Sequence, residues 1–444
     1  MFKDNCQYGR FAAHSILLMC FLWMLAGCDR PEKAVSKSAI LSELDVWTHT
    51  GNQDTQRLLK DQVARFNASH SRIRVKLISI PKGTYNAQIN AAIRTGTLPD
   101  IVELDGPYLP SFTERGALIK LDKMLTDSTR QDMLPAVFKQ GMYQGRVYSL
   151  ATTSNSPVMY ARKSAIQAAG YRIPGVSKDA WDMTEFEGLL ASLLKSEVYS
   201  AAIDLGINQQ GERISNALHP VLLSSGGGMI DETTPYAGQG VLNNDQNLAA
   251  LRRIQQWIDD GYIDNNTDDG AFVGGRVALS WAGLEKYASY KNAFGDDLVM
   301  VPLPDFGVGS QRTQRAWGWG LTRNCEDTQA AMRFLEFLFQ PEEVLLAAEA
   351  NATLPATLSA LARFDAFSET PSILTLIEDH KNGRVLSQQQ SPLYPVISDA
   401  FQKAFIRIRN GAVIESSLNT AIKVIDEGRQ KLESELEIAS ELAR

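Results

Sequence analysis

Cysteine is scarce in this chain of 444 residues, and the four present, Cys6, Cys20, Cys28 and Cys325, build no disulfide framework. Cys6 and Cys20 lie in or before an apolar leader and Cys28 at its end. Cys325 is then left alone, so stability has to come from a core. Basic residues are outnumbered, 44 against 51 acidic, for a formal net charge of −7. That balance argues against nucleic acid and anionic lipid as partners. Histidine is limited to five, and His49, His70, His219 and His380 show no close metal-ligand spacing, so neither metal nor cofactor is expected. The chain lacks Gly-x-Ser-x-Gly, His-Glu-x-x-His and any phosphate-binding glycine loop. A lone Ser192-x-x-Lys195 has no companion motifs and reads as a helix surface. Repeats, low-complexity tracts and coiled-coil heptads are missing too.

What is present begins with an apolar stretch, Phe11 to Gly27, preceded by Lys3 and Arg10 and ending in small residues. It reads as a secretory signal over residues 1–27. Leu25-Ala26-Gly27-Cys28 resembles the lipobox of bacterial lipoproteins, which implies cleavage before Cys28 and lipidation of its sulfur. Two or three acyl chains anchor stably where one does not. An uncleaved membrane helix is the alternative, against which His14 and Ser15 interrupt the stretch. Asp29 resembles the signal that, in enteric-type bacteria, retains a lipoprotein on the periplasmic side of the inner membrane, the side implied if the host is Gram-negative. Losing residues 1–27 removes a net +1 (Lys3, Asp4, Arg10), so the charge moves from −7 to −8. Residues 28–38 are polar and make a tether reaching about 35 Å, at roughly 3.5 Å per residue.

Beyond the tether, Leu41 to Trp47, Ile73 to Leu77 and Asp100 to Leu104 read as strands, separated by helical patterns carrying Leu59, Val63 and Phe66, then Ile89, Ala92 and Ile93. Strands alternating with helices imply a parallel sheet, with ligand loops outside the carboxyl ends of its strands. Ile414 to Arg444 reads as one or two amphipathic packing helices.

Several blocks then follow in order. Ala91 to Asp100 runs into Ile101-Val102, Gly116 to Asp122 continues it, and Gly145 to Leu150 leads to Val158-Met159-Tyr160 and Trp181. Gly226-Gly227-Gly228-Met229-Ile230-Asp231, Leu242 to Leu251, Trp257 and Gly261 come next, then Phe272 to Gly283, Val299 to Pro304 and Trp317-Gly318-Trp319-Gly320. Together they resemble the extracellular solute-binding proteins of bacterial ABC importers, in the sugar-binding family that includes maltose-binding protein. Ala151, Tyr160-Ala161 and Asp179-Ala180-Trp181 depart from its usual pattern.

The resemblance implies a two-lobed α/β fold of the type II periplasmic-binding-protein class, each lobe a mainly parallel sheet flanked by helices, with the ligand cleft between. The lobes are expected at 39–151 with 320–358, and 152–319 with 359–444. Flat apolar sugar faces call for aromatics, and their hydroxyls for fixed polar groups. Trp281, Trp317, Trp319 and Tyr394 are the aromatic candidates. Asn52, Asp105, Thr153 and Asn155 are the polar ones, with Tyr85 and Tyr108 at the mouth. Gly318 and Gly320 are expected to let the backbone pass close to ligand or bend between lobes. The expected protein is an exported, lipid-anchored monomer that closes on a sugar and delivers it to separate ABC permease subunits. An exported glycosidase with two facing carboxylates is a second reading, though nothing selects such a pair. A same-shaped receptor for a polyamine, phosphate ester or peptide is a third, and acidic clusters at the cleft would point to a cation.

Overall fold

In the computed structural model the site-bearing unit spans Ile40–Arg444, of which residues 42–208, 212–234, 236, 238–365 and 371–442 are described. The signal at 1–27, the lipidated Cys28 and the tether at 28–38 lie outside the described residues.

Nine strands carry the architecture: β1 (Ser42–His49), β2 (Ile73–Ile80), β3 (Ile101–Asp105), β4 (Leu150–Ala151), β5 (Pro157–Arg162), β6 (Ile203–Asp204), β7 (Leu279–Gly283), β8 (Leu298–Val301) and β9 (Trp317–Leu321). Leu44 and Val46 of β1 alternate with exposed Glu43 and Asp45, the period-2 signature of a sheet with one face in a core. β1 pairs in parallel with β2 along its whole length and with β3 on its other side. The first sheet runs β2-β1-β3-β9-β4, with β9 antiparallel to both of its neighbours.

The second sheet runs β8-β5-β7-β6. Only β7 and β6 are parallel there, whereas β5 is antiparallel to β7 and β8. This departs from the mainly parallel sheet expected in each lobe. β5 starts where the chain leaves the first sheet and runs outward, while β7 ends there, Gly283 opposite Pro157. Neighbours that begin and end at the same edge must be antiparallel.

Helices cover both sheets: α1 (Gln53–Ser69), α2 (Lys82–Thr95), α3 (Glu212–Ser224), α4 (Tyr394–Arg409) and α5 (Ile414–Leu442). The tail forms one helix rather than two, burying Leu418, Ile422, Ile425 and Leu432. No helix among the described residues is long and apolar enough to cross a membrane. Gly226 and Gly228 take φ of 83° and 157°, conformations that side chains disfavour.

Three chain segments pass between the sheets. The first, after β4, carries Thr153–Ser154, which pairs with Leu354–Pro355 on another. Asn155 of the first bridges Arg315 of the third, with N–H to O distances of 3.0 and 2.8 Å. β9 opens at Trp317, three residues ahead of the boundary expected at Gly320, so both tryptophans of Trp-Gly-Trp-Gly belong to the first sheet.

Candidate ligand site beside the crossovers

A cavity of about 200 Å³ opens where β6 and β7 end, against the crossover residues Asn155–Pro157 and Thr313–Arg315 and one face of α3. The position follows from topology. Strand ends release loops whose polar groups no longer pair in the sheet, so side chains there point at whatever fills the space.

β7 delivers Ser280 and Trp281. Trp281 is 5% exposed and its indole N–H has no partner among the described residues. Ser280 Oγ lies 3.1 Å from Tyr290 Oη, and burial pushes that phenol up to about 12 although the serine contact works against it. β6 delivers Asp204, whose Oδ1 accepts the Gly206 N–H at 2.8 Å. Burial raises the Asp204 carboxyl, with Asp264 and Asp269 adding like charge. From α3 come Arg213, Asn216 and His219. Burial holds the His219 imidazole down to about 4, hence neutral, and its Nε2 has no partner among the described residues. Gly283 is tight: a Cβ there would stand 2.9 Å from Asn155 Nδ2, which itself donates to Glu285 Oε2 at 2.8 Å.

An ion network borders the cavity. Arg315 Nε donates to Asp105 Oδ1 at 2.7 Å while Nη2 bonds Oδ2; Nη1 reaches Glu212 Oε2 at 3.2 Å and also bonds Asn216. Glu212 accepts from Tyr394 (2.8 Å), Ser398 (2.7 Å) and Tyr108 (3.2 Å). Burial opposes the guanidinium charge, but Asp105 and Glu212 outweigh it and keep the Arg315 value raised. Two carboxylates facing one guanidinium leave a net −1, which three hydroxyl donors spread.

The ten candidate ligand residues scatter. Asn155 and Trp281 line the cavity. Asp105, Tyr108 and Tyr394 are absorbed in the Arg315–Glu212 network. Asn52 caps α1, accepting the Thr55 N–H at 2.8 Å and donating to Ala350 O. Tyr85 is not at a mouth but fully buried, its hydroxyl on the Trp47 and Glu103 carbonyls at 2.9 and 2.7 Å. Thr153 stands in a crossover strand opposite Pro355.

Trp319 is packed into the core of the first sheet with Leu150 and Leu321. Trp317 is half-buried, stacked on His49 with centroids 3.8 Å apart and with Lys82 Nζ 5.8 Å from its ring centre. Gly318 and Gly320 face neither ligand nor hinge: added Cβ atoms would stand 2.9 Å from Ser149 Oγ and 2.9 Å from the Tyr148 carbonyl. They are small because the chain leading into β4 lies close against β9 there.

Sequence reasoning missed Asp204, Arg213, His219, Glu285 and Arg315. Asp204 had a usable signal, since Ala201-Ala202-Ile203-Asp204-Leu205-Gly206 is an apolar run ended by Asp-x-Gly. Arg315 had none. No cluster of three or more His, Cys, Asp or Glu able to hold a metal occurs among the described residues.

The chain has relatives in sequence and in fold. A lipoprotein of Streptomyces antibioticus, named for the oleD 5′ region, is 22% identical over 361 residues, covering 78% of this chain and 77% of that protein. The GacH receptor of Streptomyces glaucescens, solved unliganded and with acarbose, superposes with a TM-score of 0.68 at 19% identity, over 88% of this chain and 98% of the receptor. The cyclic alpha-maltosyl-1,6-maltose binding protein of Arthrobacter globiformis gives 0.71 at 20%, over 88% and 99%. The sugar-binding protein MalE of Xanthomonas citri gives 0.72 at 16%, over 89% and 99%. All three share the two-lobed fold with this chain. The model of the bacterial extracellular solute-binding proteins matches residues 61–375, and the chain belongs to that family.

Proposed function

We propose that this protein is the sugar receptor of an ABC importer, a monomer anchored by lipid at Cys28 after loss of residues 1–27, which closes on a small carbohydrate and presents it unaltered to separate permease subunits. Trp281 carries the reading. A nearly buried indole lines a cavity that also carries carboxylates, amides, hydroxyls and the cations Arg213, Lys286 and Arg315, a mix that suits a ring with an apolar face and a hydroxyl rim. The sugars named for the structural neighbours agree with it. The lobes would be the units built on each sheet, divided at the three crossovers, with the return at Trp317.

Closure follows from the site's position. A ligand held by α3, β6 and β7 touches the crossover residues Asn155 and Arg315, so filling the cavity favours the lobe arrangement that completes its hydrogen bonds. An affinity near 1 μM requires about −8.2 kcal/mol. Roughly 100 Å² of apolar contact contributes about 2.5 kcal/mol at about 25 cal/mol per Å², and several hydrogen bonds made away from water supply the rest.

Thermal-shift screening of the full-length protein in detergent against mono- and disaccharides tests this, with sugar recovery analysed afterwards. A raised melting point with unchanged sugar supports a receptor; hydrolysed sugar would replace it with an enzyme. No shift across the panel would remove the carbohydrate reading.

A further inference from the structure

Tyr108 is shared by the two halves of the molecule. It follows β3 by three residues and lies 6.2 Å, ring centre to ring centre, from Phe112 of the first half. Its ring also meets Tyr394 of α4 edge-on at 5.5 Å and packs against the core of the second half. Its hydroxyl donates to Glu212 at the start of α3, 3.2 Å away. Asp105, the last residue of β3, is joined to the same carboxylate through Arg315, whose guanidinium spans both acids. The hydroxyls of Tyr394 and Ser398, both on α4, fix Glu212 from the second half. A rim contact between Arg115 and Glu435 of α5, 3.8 Å apart and open to water, adds little, because solvent screens it.

The cavity is built differently. Among the described residues, those lining it come from the second half and the crossovers, with none from the first sheet or the helices packed on it. An occupant therefore reaches the first half only through Arg315 and its partner Asn216, which line the cavity and belong to the network. A ligand shifts an equilibrium only as far as its own contacts differ between the two arrangements. The pull that brings Asp105 and Tyr108 towards Glu212 thus belongs to the protein itself. Parting the halves is costly, because Asp105 is 4% exposed and Arg315 17%, their hydrogen bonds are charge-assisted, and separation leaves a carboxylate without its cation.

We infer that Tyr108, Asp105, Arg315 and Glu212 form a latch that holds the two halves closed before any ligand arrives, with Arg315 shared between latch and cavity wall. This rests on the closing-receptor reading and deepens it, whatever the occupant is. Apparent affinity falls by the fraction of molecules that are competent to bind, so a latch that keeps the closed arrangement populated preserves nearly the whole intrinsic affinity. Weakening it makes the ligand do the work of closure.

Single-molecule energy transfer on the full-length protein in detergent, with no sugar present, tests this. Donor and acceptor dyes go on click-reactive residues replacing Gln88 of α2 and Asp259, both exposed and one in each half. Most molecules of the otherwise unaltered protein should show the separation seen in the structure. Glu212→Gln, which leaves Arg315 neutralised by Asp105 alone, should raise the open-to-closed ratio at least about tenfold, the worth of one hydrogen bond to a charged group. Tyr108→Phe, which deletes one oxygen, should raise it about fivefold. Circular dichroism reports the fold of each; if Glu212→Gln misfolds, Tyr108→Phe decides alone. A mostly open unaltered protein, or a ratio that neither variant moves, would overturn the latch and leave the sugar receptor standing. Opening by the variants, with no sugar raising the melting point, would support the latch and remove the carbohydrate reading.

Discussion

Arg315 grips both carboxylate oxygens of Asp105 through Nε and Nη2, although the two residues lie 210 positions apart and belong to a crossover and to the end of a first-sheet strand. Removing one partner of such an enclosed pair leaves the other charge uncompensated. Asp105→Asn should therefore cost about 3 kcal/mol or more in urea unfolding of the full-length protein. A double-mutant cycle with Arg315→Met should return a coupling of at least about 1 kcal/mol. A coupling near zero would mean the contact carries no weight.

Trp281→Phe separates packing from recognition. The phenyl ring keeps most of the apolar body, and the N–H it deletes has no partner to lose, so the unliganded melting point should stay within a few degrees of the original. Ligand affinity should fall about fivefold, as the smaller ring gives up about 40 Å² of apolar contact at about 25 cal/mol per Å². Trp281→Ala should instead lose both, with about 3–5 kcal/mol of unfolding free energy. Equal loss of stability by Phe and Ala would assign the indole to the core alone.

Two buried histidines set an acid limit. His219 is held down to about 4 and His380 to about 3, chiefly by burial, below the ordinary imidazole value near 6.5. The unfolded chain therefore binds protons first as pH falls, and stability is complete above about 6.5 and lost progressively towards 4 and below. Each site contributes on the order of a few kcal/mol. Melting followed from pH 8 to about 4 should show this slope, and His380→Gln should flatten it. An unchanged slope in that variant would locate the acid sensitivity elsewhere.

Asn52→Ala should cost about 1 kcal/mol, the worth of an N-cap, and leave ligand affinity where it was. A substantial loss of affinity would return Asn52 to the site.

Local pattern was enough for the strand from Ser42 to His49 and for Ile101 to Asp105, because alternation and a short apolar run are written within eight residues. It was not enough to tell Asp105 from Asp204. Both end a strand, yet one is claimed by an arginine far along the chain and the other accepts a backbone N–H two residues on, beside the cavity. Trp317 and Trp319 pose the same problem two residues apart, since one stacks on His49 and the other enters a core whose walls come from distant helices. The antiparallel pairing in the second sheet was equally hidden, because partner choice depends on where the chain re-enters. Family resemblance placed the cleft between lobes; it did not say which side chains would reach it.

The strand from Trp317 to Leu321 lies between Ile101–Asp105 and Leu150–Ala151, although it is made after every strand of the second sheet. Until it emerges, the earlier half carries a raw edge that any other strand could join. That edge closes only once residue 321 of 444 has joined the sheet. Truncation ahead of that point should yield aggregates rather than a smaller working protein.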